Sequence, residues 1–205
     1  MANVTCDALI SMGIEKNCND PFVQGVERKA YIYNRADIDM AALEFMAGNP
    51  NVITNLPLKD GKVGYVLAQY GNTPFTGSST VLSPGTQGGR VTNNISLVIP
   101  GNSPAIAEGV IDPMLDGDFV VVLENKHKSL KDADNPGISA YQVFGLLQGL
   151  TLAESTREFY SDEALGGWPI TLTETNVPKS AIFLYAESLA ATTDLLEATL
   201  TAASA

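Results

Sequence analysis

Apolar residues in this chain come in short runs of period two, separated by Asp, Asn, Pro and Gly, and that spacing predicts strands rather than long helices. The clearest run is Phe119-Val-Val-Val-Leu123, followed by Ala140 to Phe144, the segment from Trp168 to Thr175 containing Ile170-Thr-Leu-Thr173, and Ala181 to Tyr185. In the first half, Val26 to Asn34 carries the β-favouring Tyr31, Ile32 and Tyr33 beside Ala30. Between Val91 and Pro100, Ile95, Leu97 and Ile99 alternate with Asn94, Ser96 and Val98, predicting a strand with one apolar face. Val52 to Leu58 and Val63 to Tyr70 flank Lys59-Asp-Gly-Lys62, and Asp-Gly is a strong tight-turn signal, so these two runs are expected to form a hairpin.

Helical patterning is confined to two places. Asn102 to Leu115 has Asn102 or Ser103 available as a cap, Pro104 in the first turn, and Ala107, Val110, Ile111 and Leu115 along one stripe, with Pro113 expected to end or bend it. Ser188 to Leu200 places Leu189, Thr192, Leu196 and Leu200 near one face. Asp37 to Met46 reads as a helical turn or an irregular extension, and Leu150 to Phe159 fits strand or helix equally. The expected fold is therefore mainly β, a β-sandwich or barrel-like arrangement, with one internal helix and a C-terminal helix. A length of 205 residues suits one domain spanning 1–205. Its expected excursions are an N-terminal arm at 1–25, a long Gly/Ser/Thr/Pro loop at 71–89 with a short strand near Thr80 to Leu82, and an extended hairpin loop at 125–137.

Composition narrows the function classes. Hydrophobic content of 45% with 17% charge is that of a folded protein. The net charge of -11 is concentrated after residue 100, where fifteen acids face five bases, against eight and seven before it. Such a surface has no electrostatic grip on nucleic acid, yet it suits a wall past which DNA slides without sticking. The start lacks a basic and apolar leader pattern, and no apolar stretch approaches a membrane span, so synthesis in a cytoplasm and no membrane partner are expected. Cys6 and Cys18 are read as free thiols, with a local disulfide the alternative in oxidising surroundings.

Candidate chemistry is thin. His127, the only histidine, sits between Lys126 and Lys128 in the 125–137 loop with no orienting partner assigned, and no Gly-x-Ser-x-Gly elbow or phosphate loop occurs. Asp112, Asp116 and Asp118 around Gly117 do not match a calcium loop and read as turn residues. No catalytic residue, metal site or cofactor is expected. Trp168, directly after Gly166-Gly167, reads as a core or interface anchor.

From Phe119 to Leu200 the order is strand, charged loop, strand, a second β-rich stretch, Gly-Gly-Trp-Pro-Ile-Thr-Leu-Thr-Glu174, strand and terminal helix. This order resembles the virion structural proteins of tailed bacteriophages, specifically the tail-tube-like and head-to-tail ring family, over roughly the last 90 residues. The resemblance implies a non-enzymatic subunit of the virion that closes with copies of itself into a ring or tube, contacts neighbouring virion proteins, and lets DNA pass without specific binding. It implies an inter-subunit role for the loop residues Lys126, His127, Lys128, Lys131, Asp132 and Asp134, with the arm before Val26 and the excursion from Gly71 to Gly89 as further assembly segments. Two alternatives are a capsid decoration or other head protein, and a host-facing fibre-like or carbohydrate-binding module using Tyr31, Tyr33, Tyr70 and Trp168. Exposed aromatics would favour the binding module, and buried ones the scaffold.

Overall fold

The computed structural model describes residues 10, 12–13, 20–85 and 88–201, and within them the chain is mainly β. Cys6, Cys18 and most of the 1–25 arm lie outside the described residues. The strands are β1 (Val26–Asn34), β2 (Phe45–Met46), β3 (Asn49–Ile53), β4 (Tyr65–Ala68), β5 (Ser79–Ser83), β6 (Arg90–Ile99), β7 (Phe119–Asn125), β8 (Tyr141–Phe144), β9 (Thr151–Glu154), β10 (Trp168–Val177) and β11 (Ile182–Leu184). They form a seven-stranded sheet in the order β2-β3-β11-β8-β7-β1-β4 and a four-stranded sheet in the order β5-β6-β10-β9.

The centre of the larger sheet is the antiparallel pair β1 and β7, in register from Ala30 opposite Leu123 to Asn34 opposite Phe119. Its alternation sends Ala30, Ile32, Phe119, Val121 and Leu123 to one side, and Tyr31, Tyr33, Val120 and Val122 to the other. Both sides are buried, which explains why Phe119 to Leu123 is apolar without interruption. On the first side Ile95, Leu97 and Ile99 of β6 and Ile170 and Leu172 of β10 pack down, making a sandwich. On the second side the C-terminal helix closes the layer, with Leu196 fully buried and Leu189, Leu195 and Leu200 packed around it.

Both helical segments occur where the sequence places them. Ser103 caps the internal one by accepting from the Ile106 N–H at 3.2 Å. It runs as α1 (Pro104–Ile106), a wide π turn (Ala107–Ile111) and α2 (Asp112–Asp116). The π turn restarts the hydrogen-bond ladder, so Pro113 falls in the first turn of α2, where its missing N–H leaves no bond unmade. The segment therefore continues past Pro113, and Met114 reaches the inter-sheet core. The C-terminal helix α3 (Leu189–Ala198) starts at Ser188, whose hydroxyl accepts from the Ala191 N–H at 3.1 Å.

The expected hairpin between 52–58 and 63–70 does not form. The Asp60-Gly61 turn is made, with Gly61 at φ +71° and the Lys62 N–H donating to the Lys59 carbonyl at 3.0 Å. The strands on either side of it part to opposite ends of the large sheet. β3 runs parallel to β11, pairing Val52 with Phe183 and Ile53 with Leu184, whereas β4 pairs with β1. Burial decides the outcome, because Ile53 fills the helix side of the core and Val52 is buried as well, a gain the exposed β4 could not supply. The turn is held instead against Arg35–Asp37 by a Lys62–Asp37 ion pair of 3.2 Å and by the Lys59 N–H on the Asp37 carbonyl at 2.9 Å. Of the two open segments, 37–46 forms the short β2 after an Arg35–Asp37 3₁₀ turn, and 150–159 supplies β9.

Helix α3 is fastened by tyrosine hydroxyls that cross the sheet. Tyr31 donates to Glu197 at 2.7 Å, the Tyr33 and Thr199 hydroxyls lie 2.9 Å apart, and those of Tyr141 and Thr193 2.8 Å apart. Gly64 is required at this contact, since a Cβ there would collide with the Tyr33 ring. Burial raises the Tyr33 pKa from 10.0 to about 12, and burial followed by the bond to Glu197 raises that of Tyr31 as well. A tyrosine that ionises less readily when folded stabilises fully below its unfolded pKa, and that stability is lost as pH rises through the folded value. Unfolding free energy is therefore expected to fall between about pH 10 and pH 12. Urea titrations across that range on wild type and Tyr33→Phe should show a shallower alkaline decline in the variant, by up to about 2–3 kcal/mol.

Candidate assembly edge

Four strand edges face solvent, and they differ in how they are protected. β2 is two residues long with an irregular register, and the Lys179 ammonium lies 4.9 Å from the Phe45 ring beside it. β9 is short, has a register shift opposite β10 and ends on Glu154. Short length, bulges and charge are the usual devices that keep an edge from pairing with another chain. β4 is as short as β9, but like β5 it has a regular register and carries no charged side chain.

Residues 63–89, which contain both strands and the loop joining them, hold no Asp, Glu, Lys, Arg or His. On this surface Tyr65 is 56% exposed, Val66 44%, Tyr70 73%, Val81 47% and Leu82 68%. All five residues of β5 are exposed. β5 therefore presents backbone and apolar side chains with β6 as its single partner among the described residues, which is the physical description of a surface ready for strand addition.

The edge is firmly held from behind. Phe75 adopts a positive φ of 58° and inserts its ring into the inter-sheet core, which anchors the middle of the 71–89 excursion. β6 extends beyond the end of β5, and side chains take the place of a strand there. The Ser78 hydroxyl accepts from the Ser96 N–H at 2.9 Å, and the Gln69 amide both accepts from the Val98 N–H at 2.9 Å and donates to its carbonyl at 3.0 Å. A polar chain continues inward from β5: Thr80 donates to Asn93 at 2.7 Å, and Asn93 donates to Glu174 at 2.8 Å. The same Glu174 oxygen accepts from the Gly145 N–H at 2.9 Å, at the end of β8 in the other sheet. The pattern that could have exposed this edge in the sequence is the gap in charge, read together with the strand spacing.

Of the residues singled out from sequence, Tyr70 and the 71–89 excursion belong to this surface, whereas the 125–137 loop and Trp168 fall elsewhere. The 125–137 loop connects β7 to β8 and brings Lys126, His127, Lys128, Lys131, Asp132 and Asp134 together, but folded back on itself in place of the extended hairpin expected. The Lys126 N–H donates to the Gly25 carbonyl at 3.0 Å, the His127 ring lies 4.7 Å from that of Phe22, and Lys128 pairs with Glu124. The Asp132 carboxylate accepts from the N–H groups of Asp134 and Asn135, and the Ser129 and Ser139 hydroxyls close the loop at 2.8 Å. Local satisfaction of these polar groups favours the compact form over a projecting one. Trp168 begins β10 opposite Ile99, partly buried against the inter-sheet core, with the Arg157 guanidinium 5.0 Å from its ring. Tyr31 and Tyr33 are buried, and Tyr70 alone of the four proposed contact aromatics stands well out in solvent.

Among the described residues no group of three or more His, Cys, Asp or Glu is arranged to hold a metal ion, and no helix is long and apolar enough to cross a membrane. No family model, curated protein or solved structure matches the chain.

Gln69 generates a direct test of the edge description. Gln69→Met keeps the volume but leaves the Val98 N–H and carbonyl without their partner, and it is expected to lower stability by about 2 kcal/mol. Chemical denaturation gives the magnitude, and faster amide exchange at Val98 localises the effect.

Proposed function

We propose that this chain is a non-enzymatic structural subunit of a tailed-phage particle that assembles with copies of itself into a ring or tube of the tail or head-to-tail conduit. The observation that carries the proposal is the pair of charge-free edge strands, β4 on the larger sheet and β5 on the smaller. A folded chain that leaves a regular, uncharged strand open would aggregate unless another subunit covers it, and closed cyclic assembly covers it once per copy. The rigid backing of that edge by Phe75, Gln69 and the Thr80–Asn93–Glu174 chain supports the same reading, because a preorganised strand loses little entropy on pairing.

Charge supports the conduit role. Fifteen acids against five bases after residue 100 leave no surface suited to gripping a phosphate backbone, so DNA passes without being held. The compact 125–137 loop offers a second contact, towards a neighbouring ring or virion protein. A carbohydrate-binding module is the less favoured reading, since Tyr31 and Tyr33 belong to the core. A capsid decoration protein would use the same edge against a capsomer.

Solution mass and negative-stain electron microscopy across a concentration series test the assignment. Wild type is expected to give rings or tubes, and Val81→Lys or Leu82→Glu is expected to give folded monomers, since each places a charge on an exposed position of β5. A wild-type chain that stays monomeric at every concentration, or variants that assemble as before, would overturn the assignment.

A further inference from the structure

Among the described residues no layer covers the face of the four-stranded sheet that points away from the core. Between the 70–76 loop and residues 154–165 it sinks into an open groove of about 700 Å³. The outward side chains Ser96 and Val98 of β6 and Pro169 and Thr171 of β10 make its floor, with the Ser96 and Thr171 hydroxyls 3.5 Å apart. Glu154, Glu158 and Glu163 stand along one wall, and Tyr70 stands on the other. Among the described residues no lysine, arginine or histidine lines it. Arg157, the cation nearest in sequence, is held elsewhere: its guanidinium lies 4.5 Å from the Phe159 ring and 5.0 Å from the Trp168 ring, and it donates to the Gly166 carbonyl at 3.0 Å.

We propose that this groove is a docking site for an extended segment of a partner protein bearing lysine or arginine side chains. Charge complementarity selects the occupant, because the groove holds three carboxylates and no internal counter-charge. A lysine or arginine stem lies naturally along Val98, Pro169 and the Tyr70 ring while its head meets a carboxylate. The serine and threonine hydroxyls of the floor meet the backbone of an extended chain as donors or acceptors. Nucleic acid is repelled by the same wall. Because the groove is open to water, each ion pair is weak and screened by salt, so docking is weak and weakens further as salt is added. The groove residues are separate from Val81 and Leu82, and docking is read on the unassembled chain.

The test is fluorescence anisotropy of a labelled alternating Lys-Ser peptide titrated with the full chain carrying Val81→Lys, alongside an alternating Glu-Ser peptide and a neutral oligosaccharide. Binding of the Lys-Ser peptide alone is expected. It should weaken about tenfold when Glu154→Gln, Glu158→Gln and Glu163→Gln are combined, the sum of three exposed pairs. The equally charge-reducing set Glu108→Gln, Asp112→Asn and Asp116→Asn, on the exposed surface of the internal helical segment, should leave binding unchanged. Equal weakening by both sets would reduce the effect to net charge and overturn the proposal. Absence of Lys-Ser binding, or preference for the oligosaccharide, would overturn it as well.

Discussion

A strand pair that is apolar on both faces needs a covering layer on each, and the β1–β7 pair imposes that requirement on everything else in this chain. One layer is the four-stranded sheet, which delivers the alternating faces of β6 and β10. The other is helix α3 with the segment around Ile38, Ile53 and Leu56. Tyr31, Tyr33 and Tyr141 reconcile the second layer with the polar helix surface, since each buries a ring and delivers a hydroxyl to Glu197, Thr199 or Thr193. With both faces of the large sheet used in this way, the surfaces left for contact are the outward face of the small sheet and the strand edges.

Polar groups inside the sandwich link those surfaces to the core. Glu174, almost wholly buried, accepts from Asn93 in its own sheet and from the Gly145 backbone in the other, so it joins the two layers at one point. Thr80 extends the chain of hydrogen bonds to β5. The open edge is thus continuous with an internal hydrogen-bond network and with the Phe75 anchor. An edge backed in this manner holds its register when another strand arrives, and a charge-free, rigid strand follows more naturally from a role in assembly than from a catalytic one.

Much of this architecture was legible in the sequence, for reasons that can be named. β1, β6, β7, β8, β10 and β11 were visible because alternation and continuous apolar runs report burial directly, and the two helical segments because Ser103 and Ser188 cap recognisable stripes. Pairing was less legible. The Asp60-Gly61 turn correctly announced a reversal, but a turn does not determine where its flanking strands dock, and the parallel β3–β11 pair joins segments from opposite ends of the chain. The 125–137 loop was recognisable as a connection between paired strands, while its compaction depends on contacts with Gly25 and Phe22 that no local pattern encodes. The proposed assembly edge left two traces, the short strand expected near Thr80 to Leu82 and the missing charge between residues 63 and 89, and the groove left none, because its walls are brought together from separate loops.

The most direct test of the central claim is amide hydrogen exchange across residues 79–83, compared between the isolated chain and its assemblies. Strand addition predicts that outward-facing N–H groups of β5 exchange freely in the monomer and become protected on assembly, together with no comparable change in β1 or β7. Assemblies in which β5 exchanges as fast as in the monomer would contradict the account.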